Sequence, residues 1–371
     1  MIPVTITLIN GKKFKLYLND KKAVDKWQEI SLAKKIMCNS YLSQNISFDD
    51  VNYYTKPCLS FENVQTDSIT SSKSIKELIE HNNFQEQFKK VIHQDTKDCE
   101  GCPAFNDLNY LDISTILNMC GLYGIYLVEC FYNEEITDRI KYPYSLDLGF
   151  AHCCNLTCHT CRNYRITEQQ HLTEENFNTL VDYASNFYNV SIGCSGETFF
   201  NDDYIRLLQT NLHKGKTRQI TIFTNGTLMN KTNWDKIHPE NKKIIKDIKI
   251  SIDAACEETY KRTRNENLWN TLCNNIDYIR TVKNDDCILS TTFTISKFNY
   301  MDIDAFVEFA LGKGFTKILF NFARPLLKPQ EGEDRTYFIL DDKTKEGIKD
   351  HIFDLTKQYT DFKNNIYIGL C

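Results

Sequence analysis

Three cysteines stand close together in the segment Cys154-Asn-Leu-Thr-Cys158-His-Thr-Cys161, directly after an apolar run that predicts a strand, Leu146–Phe150. Thiolates at this spacing can bind three irons of a cubane cluster and leave the fourth iron without a protein ligand. Because most iron–sulfur proteins supply four cysteines to a cluster, a loop with three indicates an iron kept open for chemistry on a substrate.

Zinc is the alternative at this loop. A structural zinc site takes four ligands, usually as two closely spaced pairs, so His152, Cys153 or His159 would have to complete an irregular set. The gaps of three and then two residues are unusual for a zinc site. We therefore expect an open cluster here rather than zinc.

Three further motifs follow strand-like runs downstream. They are Gly193-Cys-Ser-Gly-Glu197, Thr224-Asn-Gly226 and Ile250-Ser-Ile-Asp253. In their order and intervals, the cysteine loop and these motifs resemble those of the radical S-adenosyl-L-methionine (radical SAM) superfamily. The resemblance covers roughly residues 143–325. One position departs from the family pattern, since Thr160 stands where an aromatic residue often precedes the last cysteine.

The resemblance implies that Cys154, Cys158 and Cys161 bind a [4Fe–4S] cluster, that SAM is the cofactor, and that a flavodoxin- or ferredoxin-like protein donates the electron. It implies that Glu197 contacts the SAM ammonium group and that Arg264 pairs with the carboxylate, although a surface helix charge would explain Arg264 equally well. The residues expected to bind the cofactor are Ser195, Gly196, Glu197, Thr224, Asn225, Ser251, Asp253, Arg264 and Asn299.

Local patterns bear on several of these residues. Glycine suits a backbone that must approach a ligand closely, but a tight turn explains Gly196 as well. Thr224-Asn-Gly226 is also an ordinary turn signal. Ser251 and Asp253 would have the same parity on a strand, which predicts that both side chains point to one face.

Cysteines outside the loop suggest two further sites. Cys256 follows the motif Ile250-Ser-Ile-Asp253, at a position where a thiol could return a hydrogen atom to a substrate radical. Cys194 is the second candidate for this role. Cys99-Glu-Gly-Cys102 could form half of a second metal site, either an auxiliary cluster or zinc. Ordinary buried thiols are the alternative for all of them. The remaining ligands of a second site would come from Cys38, Cys58, Cys120 or Cys130.

The predicted fold class is α/β: a partial (β/α)6 radical SAM barrel over residues 143–325, preceded by an α+β domain over residues 1–142. Strand-like and helix-like segments alternate from Leu146 onward, as in parallel α/β folds. The motifs lie where strands end, which is where such barrels carry their chemistry. For residues 326–371, the sequence predicts a helical segment that packs on the barrel.

Within residues 1–142, the sequence predicts a hairpin around Asn10-Gly11. It predicts helices around Val24–Leu42 and Ile75–Ile92, with a polar loop over Gln44–Ser72 between them. An appended domain of this kind would suit recognition of a substrate such as a ribosomally made precursor peptide.

Composition sets the broad class. The net charge of −5 argues against a nucleic-acid-binding surface, and no apolar run predicts a membrane span or signal peptide. Fifteen cysteines without a secretory signal predict a reducing cytoplasm. Because Cys371 is the last residue, we expect no cysteine-rich C-terminal (SPASM) extension in this chain.

Two stretches of the sequence resemble the branch of the family that includes peptide maturases. One is Ile250–Asp253 together with Tyr260 and Arg264, and the other is Phe293–Asn299. We therefore expect a precursor peptide as substrate, with epimerisation or cross-linking as the outcome. One alternative is a radical SAM enzyme acting on a small-molecule cofactor or sugar intermediate. Another is a metal-stabilised binding protein with a degenerate barrel.

Overall fold

The computed structural model describes residues 1–7, 13–28, 35–38, 43–48, 53–56, 70–72, 74–80, 84–93, 110–136, 139–161, 166–169, 171–324, 336–359 and 367–370. The chain divides into two compact units. The first unit comprises residues 1–150, 174–190 and 215–217, and the second comprises residues 151–173, 191–214 and 218–371. The predicted domain boundaries after residues 142 and 325 stay predictions.

The first unit combines short strands with helices. Its elements in chain order are β1 (Ile2–Thr7), β2 (Lys13–Leu18), α1 (Lys21–Gln28), β3 (Lys35–Cys38), β4 (Ser43–Phe48), β5 (Tyr53–Lys56), β6 (Thr70–Ser72), α2 (Ile75–Glu80), α3 (Phe84–Ile92), β7 (Tyr110–Asp112), α4 (Ile113–Asn133), β8 (Ser145–Gly149), α5 (Glu174–Ala184) and the first half of β9 (Asn189–Ile192). The pairs β1–β2, β3–β7, β4–β5 and β5–β6 are antiparallel, whereas β4 pairs with β8 in parallel.

The predicted hairpin of β1 and β2 is confirmed, although its turn lies outside the described residues. Alternation explains it, because Phe14, Leu16 and Leu18 are buried on one face of β2 while the residues between them are exposed. These residues join side chains of α1 and α4 in the core of the first unit.

Two predictions for this region are wrong. The predicted helix over Val24–Leu42 ends at Gln28, and β3 follows it. The predicted loop over Gln44–Ser72 contains β4, β5 and β6. These strands are short and polar, so their periodicity carries little signal; pairing with β8 and burial of Ile46 decide their structure. The predicted helix over Ile75–Ile92 consists of α2 and α3.

Helix α4 is the central apolar helix of the first unit. By length and composition it could cross a membrane, but half of its apolar stretch is buried inside the protein. Gly121 interrupts it with φ of 52°, and Asp112 caps its start by accepting a 2.7 Å hydrogen bond from the Thr115 amide. Its buried side chains are those expected of a core helix.

The second unit alternates strands and helices. Its elements are α6 (Asp202–Gln209), β10 (Gln219–Thr224), α7 (Lys231–Lys236), α8 (Pro239–Ile244), β11 (Ile245–Ser251), α9 (Glu257–Arg264), α10 (Trp269–Val282), β12 (Ile288–Ile295), α11 (Ile303–Gly312), β13 (Lys317–Phe322), α12 (Asp342–Tyr359) and β14 (Tyr367–Leu370). Strands β10 to β14 pair in chain order, all in parallel. The predicted α/β class is therefore confirmed.

Aromatic packing holds this unit together behind the strands. Phe293 on β12 lies 4.5 Å from Phe306 on α11 and 5.6 Å from Phe320 on β13, measured between ring centroids. All three side chains are fully buried, and aromatic pairs at these distances stabilise a core beyond the area that they bury. This packing fixes the strands whose ends carry the predicted site.

Candidate functional site

The cysteine loop, residues 151–161, follows β8 directly and is held by backbone hydrogen bonds on both sides. The Cys154 amide donates to the Ile166 carbonyl at 2.9 Å, and the His159 amide donates to the Thr263 carbonyl at 3.2 Å. Because Thr263 lies in α9, the loop is tied to the helix that follows β11.

Hydrogen-bond donors surround two of the three predicted ligand sulfurs. Cys154 Sγ lies 3.5 Å from the Leu156 amide and 3.8 Å from Asn225 Nδ2. Cys158 Sγ lies 3.5 Å from Arg264 Nη1. Burial raises the pKa of the Cys154 thiol to about 12, so a metal must displace its proton to bind there. Donors aimed at sulfur are what thiolates of an iron–sulfur cluster require.

The side chains that zinc would need to recruit contact other groups. They pair as follows: His152 Nδ1 with Ser195 Oγ at 2.8 Å, Cys153 Sγ with Asn201 Nδ2 at 3.3 Å, and His159 Nδ1 with Tyr337 Oη at 3.1 Å. Within the described ranges, no group of three His, Cys, Asp or Glu side chains could hold a single metal ion. A [4Fe–4S] cluster differs in this respect, since each cysteine binds its own iron.

The loop after β9 packs against the cysteine loop through Gly196. This glycine has φ of 72°, and a Cβ atom there would lie 2.7 Å from the carbonyl oxygens of Ala151 and Cys153. The Glu197 amide donates to that Cys153 carbonyl at 3.0 Å. Close approach therefore requires Gly196, and the group that it approaches is the backbone of the cysteine loop.

The buried carboxylate of Glu197 joins two strand ends. It accepts hydrogen bonds from Thr224 Oγ1 at 2.6 Å, the Asn225 amide at 2.6 Å and the Phe199 amide at 3.2 Å. Burial raises the pKa of this carboxyl group, and these donors oppose the rise. Thr224 and Glu197, both predicted to be near the cofactor, are thus brought into direct contact.

Asn225 extends the network back to the cysteine loop, and here the structure reveals residues that the sequence did not single out. Asn225 Nδ2 donates to Asn155 Oδ1 at 2.9 Å, and Asn155 Nδ2 donates to Thr227 Oγ1 at 2.9 Å. Asn225 Oδ1 accepts from Thr227 Oγ1 at 2.6 Å. The only hint of this network in the sequence is the position of Asn155, a polar residue between the first two predicted cluster ligands.

Asp253 and Arg264 form a buried ion pair after β11. Arg264 Nη2 lies 2.9 Å from Asp253 Oδ2, and the side chains are 10% and 5% exposed. Burial opposes the charge of Arg264, but Asp253 and Cys158 raise the pKa of the guanidinium above its ordinary value. The alternative that Arg264 is a surface charge is therefore wrong.

The parity argument for Ser251 and Asp253 is also wrong. Strand β11 ends at Ser251, and Asp253 lies beyond it with φ of 60°. Ser251 Oγ accepts a hydrogen bond from Thr292 Oγ1 at 3.0 Å. The backbone turns after the strand, so the two side chains are not related by the two-residue period of a strand.

Asn299 braces Asp253. Its Nδ2 donates to the carbonyls of Asp253 at 3.0 Å and Thr294 at 2.9 Å, and its Oδ1 accepts from the Ser296 amide at 2.8 Å. These bonds use both amide protons of the side chain. The predicted contact of Asn299 with the adenosine part of SAM stays a prediction, as do the other cofactor contacts.

The remaining cysteines differ in setting. Cys256 is exposed at the start of α9, with its sulfur 3.6 Å from Thr259 Oγ1, and Cys194 is also exposed. Cys120 and Cys130 are buried on α4, and Cys38 belongs to β3. Cys58, Cys99, Cys102 and Cys371 lie outside the described residues.

Comparison with known proteins decides the family. Residues 149–310 match the family model described as the Radical SAM superfamily. The chain carries a radical SAM domain. The predicted family is thereby confirmed. A search of curated proteins found no match to the chain.

Several solved structures are similar to parts of this chain. For anSMEcpe with bound AdoMet (S-adenosylmethionine), the identity is 15% and the TM-score 0.45, covering 61% of this chain and 63% of that one. For Streptococcus suis SuiB bound to S-adenosylmethionine, the identity is 15% and the TM-score 0.47, and the match covers 78% of this chain and 62% of SuiB. For TYW1 with a lysine-pyruvate adduct bound, the identity is 18% and the TM-score 0.40, and the match covers 56% of this chain and 70% of TYW1. The chain thus spans just under two thirds of the length of anSMEcpe and of SuiB.

The radical SAM domain implies a [4Fe–4S] cluster and SAM, and the residues present fit both groups. Three thiols stand in one loop, with N–H donors aimed at two of their sulfurs. The buried carboxylate of Glu197 bonds to the end of β10, and the buried guanidinium of Arg264 bonds to the Ile252 carbonyl just after β11. Cys154, Cys158 and Cys161 would hold the cluster, and the polar residues after β9 to β11 would hold SAM.

Proposed function

We propose that this protein is a radical SAM enzyme that removes a hydrogen atom from a peptide substrate. One observation carries the proposal: polar side chains that follow the next strands contact the three-cysteine loop. Asn225 lies beside the Cys154 sulfur, and Arg264 lies beside the Cys158 sulfur. When bound and reduced, the cluster supplies the electron that splits SAM into methionine and a 5′-deoxyadenosyl radical.

The polar residues give this site its orienting groups. An ionised carboxylate has about four acceptor positions, and the three hydrogen bonds that described residues donate to Glu197 leave one for an ammonium group of SAM. Such a bond to a charged group contributes roughly 1.5–3 kcal/mol. Because Glu197 is buried, little water competes for that position.

Two observations support a peptide as the substrate. The first is the resemblance of the β11–α9 and β12 stretches to those of peptide maturases. The second is a recess in the first unit, with a volume of about 120 Å³. Among the described residues, its lining contains three cations and no acidic side chain, in a chain whose net charge is −5. The cations are Arg139, Lys141 and Lys216, and the tyrosines beside them are Tyr123, Tyr126, Tyr142 and Tyr188.

The chemistry of the recess suits an acidic side chain of a peptide. Arg139 stacks on the ring of Tyr126, with its guanidinium carbon 4.9 Å from the ring centroid, which fixes the direction of its donors. Leu122, which is 57% exposed, belongs to the same lining and offers an apolar contact for a neighbouring residue. We therefore propose that the substrate peptide is anchored here by a carboxylate.

The test of the function is anaerobic reconstitution of the full chain with iron and sulfide. We expect about four irons per chain and reductive cleavage of SAM to 5′-deoxyadenosine. Synthetic peptides encoded beside the gene would then be incubated with the loaded protein and examined by mass spectrometry. A protein that binds zinc and no iron would refute the proposal. Cleavage of SAM without change in any peptide would favour a small-molecule substrate.

The recess has its own test. The double variant Lys141→Glu, Lys216→Glu should raise the KM of the peptide at least tenfold and leave kcat unchanged, because anchoring is separate from chemistry. Lys349→Glu on α12 is the matched control, since Lys349 is exposed and pairs with Glu346. Equal KM values for the two variants would remove the recess from the proposal.

A further inference from the structure

Arg264 has three described contacts, one from each of its guanidinium nitrogens. Nε donates to the Ile252 carbonyl at 3.2 Å, Nη2 pairs with Asp253 at 2.9 Å, and Nη1 lies 3.5 Å from Cys158 Sγ. The guanidinium is planar and rigid, so fixing two nitrogens aims the third at the sulfur. The contact with Cys158 joins residues 106 positions apart in the chain.

We propose that Arg264 sets the reduction potential of the cluster by donating to the Cys158 sulfur, with Asp253 holding it in place and partly offsetting its charge. The inference rests on the proposed function, because it requires that Cys158 bind the cluster. Arg264 then acts through a ligand of the cluster and need not touch the substrate. This role differs from the predicted pairing of Arg264 with the carboxylate of SAM.

Asp253 is built as a fixed support for this arrangement. Its other carboxylate oxygen accepts a 2.7 Å hydrogen bond from the Thr294 amide on β12, and Asn299 Nδ2 bonds its carbonyl at 3.0 Å. Its backbone has φ of 60°, a conformation that is uncommon except for Asn, Asp and Gly. Held on both sides, Asp253 cannot follow Arg264 away from the sulfur without breaking these bonds.

The physical effect follows from charge. Reduction adds an electron that is shared with the ligand sulfurs, and hydrogen bonds to those sulfurs stabilise the reduced state. A charged donor acts more strongly than a neutral one, and both partners here are buried, where charges are less screened than in water. Cys154 receives neutral donors from Leu156 and Asn225, so of these two sulfurs it is Cys158 that meets a cation.

Opposite shifts are therefore expected from the two members of the ion pair. Arg264→Gln removes the positive charge and should make the midpoint potential of the cluster more negative. Asp253→Asn leaves the cation uncompensated and should make it less negative, and asparagine tolerates the positive φ. Arg264→Lys should lie between Arg264→Gln and the wild type.

The measurement is an anaerobic redox titration of each reconstituted full chain, followed by electron paramagnetic resonance and made without SAM. Working without SAM separates a role at the cluster from a role in binding the cofactor, which would leave these potentials unchanged. Arg262→Gln is the matched control: it removes the same charge from the same helix, from an exposed side chain that contacts Thr259. We expect its potential to equal that of the wild type.

Each result decides the inference. Opposite shifts in Arg264→Gln and Asp253→Asn, with Arg262→Gln unchanged, would support it. An unchanged potential in Arg264→Gln with full iron content would overturn it while the proposed function stands. If Arg264→Gln loses its iron, the midpoint potentials of Arg264→Lys and Asp253→Asn test the inference instead. Wild-type potentials in both of these variants would overturn the inference. A wild type that binds no cluster would refute the proposed function and this inference together.

Discussion

The two compact units bury different kinds of side chain. Of the 24 buried polar or charged residues among those described, 19 belong to the second unit and 5 to the first. In the first unit, the buried carboxylate of Glu129 has a local explanation, since it accepts a 2.7 Å hydrogen bond from the Tyr17 amide and faces Arg139. In the second unit, buried polar groups bond to one another along several strand ends.

This difference separates the packing of a core from the proposed radical chemistry. Burying a polar group costs free energy unless it is hydrogen-bonded, so a protein that needed only stability would bury apolar groups, as the first unit does. Two of these buried polar residues, Asn225 and Arg264, lie beside Cys154 and Cys158, as the proposed site requires. Substitutions in the two units should therefore have different consequences, and the following experiments test that contrast.

The largest effect is expected at the cluster ligands. Alanine at Cys154, Cys158 or Cys161 should abolish SAM cleavage and most visible absorbance of the anaerobic protein, because each thiolate binds one iron. Cys153→Ala is the control, since Cys153 is buried against Asn201, and it should keep its cluster. Full activity in any one of the three ligand variants would refute the assignment.

In the first unit, Leu16→Ala should lower the free energy of unfolding by about 2–5 kcal/mol, because Leu16 is fully buried and truncation leaves a cavity. The change would be followed by circular dichroism during urea unfolding. Ile2→Ala in the same hairpin, at a side chain 41% exposed, should change it far less. Loss of SAM cleavage per folded molecule in Leu16→Ala would break the contrast between the units.

Gly196→Ala should destabilise the second unit by about 1–3 kcal/mol or more. The added Cβ would meet two carbonyl oxygens at 2.7 Å, and φ of 72° is strained for alanine. Gly312→Ala is the matched control, because a Cβ there meets nothing within 4 Å. Thermal unfolding and iron content would be measured together, and equal melting temperatures for the two variants would contradict the close approach.

At the SAM pocket, Glu197→Gln and Ser251→Ala should each weaken SAM binding by about tenfold or more, since each is expected to lose a hydrogen bond to a charged group worth roughly 1.5–3 kcal/mol. The cluster spectrum should not change. Isothermal titration of SAM into the anaerobic protein measures this. Wild-type affinity in both variants would remove these residues from the pocket.

The smallest effect on SAM cleavage is expected at Cys256, whose exposed thiol is the predicted hydrogen-atom donor. In deuterated buffer, the wild type should place one solvent-derived deuterium on the altered carbon of an epimerised peptide. Cys256→Ala should cleave SAM at the normal rate but yield side products. Normal deuterated product would exclude Cys256 and direct attention to another donor such as Cys194.

Prediction from sequence succeeded where the signal was local. The alternation in β2 and the apolar runs of β10 to β13 depend on residues within a few positions of one another. It fails where partners are distant. The polar sequence of β4 predicts a loop, because β8, with which β4 pairs, lies about 100 residues further along the chain.

The sequence by itself indicated the radical SAM domain and the parallel α/β class, and it supplied the prediction of three cluster ligands, because each rests on short-range spacing. Only the tertiary structure placed Arg264 against Cys158, set Asp253 beyond the end of β11, and turned Gly196 toward the cysteine loop. Which donor reaches which sulfur depends on how strands and helices pack, and contacts between residues far apart in the chain leave no periodic trace in it.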